Sequence, residues 1–184
     1  MRNGFVSHTA GGAIGGMMGT LFMMKASKRA NQLPERLKPT QTRRDPGDFL
    51  VTRMEEARGR PLPRTAHERL AGALHWIYGI GWGGLLGLSL ATAHRKVKNV
   101  PAALLVGAGL GTAVWAVGYA GWLPATKLTP PLRGQGGRHA ATSLLMHIGY
   151  GIVVAAPLLA LDAYIQREPR SRSFMGRLFG GKRR

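Results

Sequence analysis

The sequence predicts an all-α protein: a four-transmembrane-helix bundle, two helical hairpins in tandem repeat, with a short surface helix in the first connection. Three observations predict it. The 26 Lys/Arg and 8 Asp/Glu all lie outside four windows, 3–24, 70–93, 99–126 and 140–161, which leaves 96 uncharged residues in four blocks. Of the 27 glycines, 19 lie inside those windows, many of them four residues apart. The string H-x-x-Y-G-I occurs as His75–Ile80 in the second window and as His147–Ile152 in the fourth. A formal charge of +18 invites a nucleic-acid-binding reading. A chain half uncharged and half densely basic is instead the pattern of a small membrane protein, and no aromatic-and-basic nucleic-acid module occurs in it.

Each window is long enough for a helix to cross a bilayer core of about 30 Å at about 1.5 Å per residue. The first span covers about 4–24. Its basic exit, Lys25 to Arg29, is not the small-residue site of a cleaved secretory signal, so the segment reads as a retained span. The connection 25–69 carries 12 Lys/Arg and 6 Asp/Glu. Inside it, Asp45-Pro46 caps a short helix of about 46–58 that stops at Gly59. Phe49, Leu50, Met54 and Ala57 give that helix an apolar face, suited to the membrane surface or to the bundle. Thr65 and Glu68 form a T-x-x-E capping box ahead of the second span, 70–93. The short 94–99 connection makes the second and third spans antiparallel neighbours, with Pro101 in the first turn of the third, 101–123. The fourth span, 140–162, contains Pro157, which predicts a kink. The four-span domain is 1–165. The tail 166–184 has seven Lys/Arg, and Phe174, Met175, Leu178 and Phe179 share a helical face, so it is either an anchor on anionic lipid headgroups or a solvated basic tail.

Four spans put both termini on one side. That side carries 11 Lys/Arg and the other 15, which leans toward cytoplasmic first and third connections.

The glycines fall on helix faces. Gly11, Gly15 and Gly19 lie on the first span, Gly79, Gly83 and Gly87 on the second, Gly107 and Gly111 on the third, and Gly151 on the fourth. Spans associate by close backbone approach, which small residues four apart allow. A compact bundle follows, with homo-oligomer contacts as the alternative use of the same faces.

The shared string places His75 and His147 at similar depth, about 9–12 Å inside by helical rise. With Tyr78, Tyr150 and Trp115 they form a candidate intramembrane polar site. Three readings compete: neutral imidazoles bonded to carbonyls, to Ser143 or to a tyrosine; a titrating pair that handles protons or solute; and bis-His haem ligation. His8 is expected at the interface on the other side. With no cysteine and eight acidic residues, none of them inside a window, the chain offers no disulfide, thiolate metal site, cysteine nucleophile or paired-carboxylate chemistry. Ser143 and His147 share a face, but no orienting acid accompanies them. The chain reads as no enzyme.

At these residues the chain resembles the YagU-like bacterial inner-membrane proteins. The resemblance rests on the glycine-rich first span, on His75 with Gly79, on Val114-Trp115-Ala116-Val117-Gly118-Tyr119-Ala120-Gly121-Trp122-Leu123-Pro124, on Leu128-Thr129-Pro130-Pro131, and on His147 with Tyr150-Gly151. It covers about 4–164, and the long basic first connection departs from it. It implies a multi-pass protein of the bacterial inner (plasma) membrane, linked to envelope or acid stress, and assigns no catalytic residue. The expected function is that of a non-enzymatic membrane protein acting by helix packing, oligomerisation or partner binding. The alternatives are a small transporter using the His75/His147 layer and a haem-associated membrane subunit. Lipid headgroups, not nucleic acid, are the expected partners of the basic bands.

Overall fold

The computed structural model describes residues 2–167, and the side chains of 5–164. Among the described residues the protein is all-helical. Four long helices, α1 (Arg2–Ala30), α3 (Arg64–Thr92), α4 (Val100–Ala125) and α5 (Gly137–Arg167), pack together, and a shorter α2 (Pro46–Arg58) lies on α3. α4 and α5 are long and apolar enough to cross a membrane, with mean hydropathies of 1.8 and 2.0. From 168 onward the basic tail lies outside the described residues.

Local chemistry sets most boundaries. Asp45 caps α2 by accepting the Asp48 amide at 2.9 Å, and Pro46 stands where a missing N–H costs nothing. Gly59 ends α2 at φ 68, a left-handed turn that returns its amide to the carbonyls of Glu55 and Glu56. Asn99 caps α4 through the Ala102 amide, with Pro101 in the first turn. The helix α1 runs past its apolar window, so Lys28 and Arg29 occupy its last turn, where the helix dipole favours cations. The helix α5 is continuous across Pro157.

Two expectations need correction. The Thr65–Glu68 capping box does not form. Pro63 is the cap residue, α3 starts at Arg64, and Thr65 is already inside the first turn, so Glu68 accepts from Arg64 instead at 2.9 Å. On α2 the packed face is Gly47 and Val51, while Leu50, Met54 and Ala57 point outward. Gly47 is needed because its backbone seats on the Ala71 carbonyl of α3. The third long helix holds a π-helical segment at Ala116–Trp122.

That segment leaves one carbonyl for a side chain to satisfy. In its i→i−5 register the Leu123 amide bonds the Gly118 carbonyl. The next donor would be residue 124, which is proline and has no N–H. The Tyr119 carbonyl is therefore left over, and the Gln135 side-chain amide donates to it at 2.8 Å. The same amide group donates to the Pro130 carbonyl at 3.0 Å, so Gln135 ties the α4–α5 connection to the foot of α4.

Glycines determine how the long helices meet. The helix α1 packs antiparallel on α3 and on α5, and α4 packs antiparallel on α5. A Cβ on Gly12 would fall on the Gly83 carbonyl, and one on Gly16 on the Gly79 carbonyl, so no side chain separates these backbones. On the other side of α1, a Cβ on Gly15 would strike the Val154 carbonyl and one on Gly19 would lie 2.7 Å from the Tyr150 ring. In the α4–α5 seam, a Cβ on Gly107 would lie 2.6 Å from the Ile152 Cα, and one on Gly111 2.6 Å from the His147 carbonyl carbon. Gly16 on Gly79–Ile80 and Gly107 on Gly151–Ile152 are the same contact, made twice by the same Y-G-I string.

Steric replacement separates packed from open glycines. Gly107→Ala should destabilise the protein by about 1–3 kcal/mol, because two helix backbones must part. Gly109→Ala has open space around its Cβ and should be neutral or gain up to about 1 kcal/mol of helix propensity. Unfolding of the two variants in one detergent measures the difference.

Candidate functional site

The predicted layer of His75, Tyr78, Trp115, His147 and Tyr150 divides into two environments. Tyr150 is 4% exposed and wedges against Gly19 of α1, its hydroxyl donating to the Gly79 carbonyl of α3 at 2.8 Å. One phenol thus joins three helices. Its counterpart Tyr78 is 41% exposed and meets Trp82, ring centroids 6.1 Å apart and edge-on, and Trp122. His147 is half-buried and donates from Nδ1 to the Ser143 carbonyl at 2.7 Å, since a carbonyl can only accept. Its ring stands edge-on to Tyr119 at 5.5 Å. His75 is exposed on the outer side of α3, and nothing among the described residues pairs it with His147. Trp115 is half-buried at the start of the π-helical segment, and its indole N–H is buried with no acceptor.

The two histidines share a string but not a setting. The helix α3 has one close long neighbour, α1, so the turn before Gly79 stays uncovered. The helix α5 lies between α1 and α4, so its turn before Gly151 is flanked on both sides. The layer therefore holds one engaged imidazole, one outward imidazole and a tyrosine strut. Among the described residues no three His, Asp or Glu side chains converge on a point that could hold a metal ion.

A second polar cluster was not expected from the sequence. Asp162 on α5 is fully buried; its Oδ1 lies 3.0 Å from Nε2 of His8 on α1, and its Oδ2 accepts the Val97 amide at 2.7 Å. The expectation that no carboxylate belongs to a span fails at Asp162, which lies inside a helix long and apolar enough to cross a membrane, while His8 is buried against it at the end of the bundle. Asp162 falls one residue beyond the charge-free window, which hid it, although Leu161 and Ala163 on either side are apolar. A buried carboxylate loses several kcal/mol of hydration unless its oxygens are satisfied. Here both oxygens are, and α1, α5 and the short α3–α4 connection are pinned at one end of the bundle.

At the opposite end, a cleft of about 190 Å³ separates the 35–41 segment from the 130–139 segment. Its polar groups bind one another. The Thr40 amide donates to the Ser143 hydroxyl at 2.8 Å, and the Thr40 hydroxyl to Gln135 at 3.4 Å. His139 donates to the Lys38 carbonyl at 2.7 Å. The Lys38 ammonium, 2.6 Å from Glu35, holds that carboxyl below its ordinary range. The cleft joins the two connections, and its side chains are already committed.

Comparison of the chain with protein-family models, with curated proteins and with solved structures found no match. The YagU-like resemblance therefore rests on the residues quoted for it.

The two histidine environments predict opposite sensitivities. Asp162→Ala should lower stability by about 3 kcal/mol by opening a buried pair and leaving the Val97 amide without its acceptor. His75→Ala should change stability by no more than about 0.5 kcal/mol, as expected of an exposed side chain. Denaturant or thermal unfolding of both variants in micelles reads the contrast.

Proposed function

We propose that the chain is a small integral membrane protein whose four long helices all cross a bilayer, and that it works by packing and partner or self-association without catalysis. One observation carries the reading: the bundle is apolar outside and small inside. Large apolar side chains are exposed on every long helix, among them Ile14 at 51%, Leu85 at 54%, Leu105 at 75% and Leu145 at 67%. The interior of the seams is glycine, with the Tyr150 strut and the Asp162 pair. A water-soluble bundle would bury those leucines and isoleucines. Glycine lowers the mean hydropathy of α1 and α3 without adding any polar side chain, so their lower apolarity does not argue for water.

The basic bands at the two ends suit anionic lipid headgroups. The recurrence of the Y-G-I seam supports duplication of a helical hairpin, with the two copies related by an axis along the membrane normal. The YagU-like resemblance supports the bacterial inner membrane and a part in envelope or acid-stress adaptation. The transporter and haem alternatives both rest on a His75/His147 pair, and the exposed, outward position of His75 argues against that pair.

The absence of cysteine makes the test direct. Single cysteines at Lys25, His94 and Lys127 are to be labelled with a membrane-impermeant maleimide in intact and permeabilised cells. The reading expects His94→Cys to react in intact cells and the other two only after permeabilisation. Equal accessibility of the 25 and 94 positions would contradict four crossings.

A further inference from the structure

His67, in the first turn of α3 and outside the span 70–93, lies between two carboxylates of α2. Its Nε2 is 2.7 Å from Asp48 Oδ1 and its Nδ1 is 3.0 Å from Glu55 Oε1. Asp48 and Glu55 are seven residues apart, two turns of α2, and so share a face. Both ring nitrogens thus meet oxygens that only accept. A neutral imidazole has one N–H and would set its other lone pair against a carboxylate. The arrangement is complete only for the imidazolium. The carboxylates approach opposite edges of the ring, so they do not converge on a metal ion.

We infer that His67, Asp48 and Glu55 form a proton-dependent latch that holds α2 onto the end of α3. The rest of the α2–α3 contact is slight: Val51 is buried and Gly47 seats on the Ala71 carbonyl, while Leu50 and Met54 are exposed. Glu55 also accepts the Leu62 amide at 2.9 Å, which fixes the turn between α2 and α3. Asp48 is held in addition by Arg44 and serves as the first-turn acid of α2. On α3, Arg64 and Glu68 pair with each other on the exposed side. Among the described residues, the charges acting on the imidazole are Glu55 and Asp48.

The direction of the switch follows. Hydrogen bonds first to Glu55 and then to Asp48 raise the His67 pKa above its ordinary value. The stabilisation is therefore complete below the ordinary histidine range and is lost as pH rises through the raised value. Hydrogen bonds to Arg44 and His67 lower the Asp48 pKa, and those to His67 and the Leu62 amide lower that of Glu55. Their contribution is present above the ordinary carboxylate range and fades as pH falls through the lowered values. The latch closes between those limits and opens on the alkaline side. This inference concerns the end of the bundle and stands whether or not α1 and α3 cross a membrane.

Hydrogen exchange of the full chain in micelles, corrected for intrinsic rates, follows α2 between about pH 6 and pH 9, a range that brackets the histidine titration. Wild type should lose α2 protection in a single step as pH rises across that range, because the stabilisation goes with the His67 proton. H67Q should be uniformly less protected with no step, and E55Q should move the step to lower pH. A flat wild-type profile, or the same step in H67Q, overturns the latch. Nitrogen NMR of His67 decides independently of any variant's folding: protonation of both ring nitrogens at about pH 7, above the ordinary histidine pKa of about 6.5, supports the latch, and a single neutral tautomer there overturns it.

Discussion

The structure depends on backbone meeting backbone without an intervening side chain. Gly12 against Gly83, Gly16 against Gly79 and Gly107 against Gly151 each remove the one atom that would hold two helices apart. In a bilayer, apolar side chains gain little by leaving lipid for one another, so association depends on close packing and on polar contacts that distance would break. Here the close approach lets one tyrosine of α5 reach across to α3 and lets one aspartate reach both α1 and the α3–α4 connection. The polar contacts at Tyr150 and Asp162 depend on that spacing.

Repetition of the hairpin makes its departures informative. Aligning Gly16 with Gly107 and Gly79 with Gly151 sets Gly15 and Gly19 of α1 opposite Val106 and Leu110 of α4. In the first pair of positions the backbone of α5 closes in and Tyr150 is buried. In the second, Leu110 packs in a cluster with Val114, Tyr150 and Val154, joined by Trp82 and Leu86 of α3. The α1–α5 seam is thus closed by backbone, while the α3–α4 side is filled by large side chains. The exposure of Tyr78 and the burial of Tyr150 follow from that difference, although the local string is the same.

Local chemistry was legible in the sequence where it acts alone. Asp45-Pro46 and Gly59 define α2 to the residue, and Asn99 with Pro101 start α4. Glycines at four-residue spacing marked the packed faces, but spacing could not tell which partner each face takes or that Gly109 faces open space. The contacts with the shared Y-G-I string, which only the structure shows, put Gly16 in register with Gly107. What the sequence hid depends on tertiary contacts. The bond from Gln135 to the Tyr119 carbonyl joins residues 16 apart, and Asp162 reads as the polar end of a span until His8 and Val97 are seen around it. His67 looked like one polar residue of a basic connection, because its partners lie 12 and 19 residues away on another helix.

The central claim is that α1 and α3, although less apolar on average than α4 and α5, are embedded in lipid to the same degree. Nitroxide labels at Ile14, Leu85, Leu105 and Leu145, placed one at a time in the cysteine-free chain and reconstituted in vesicles, test it most directly. All four should relax readily with oxygen, which concentrates in the hydrocarbon, and little with a water-soluble nickel chelate. High nickel accessibility at Ile14 and Leu85, with low accessibility at Leu105 and Leu145, would contradict the account by leaving α1 and α3 in water.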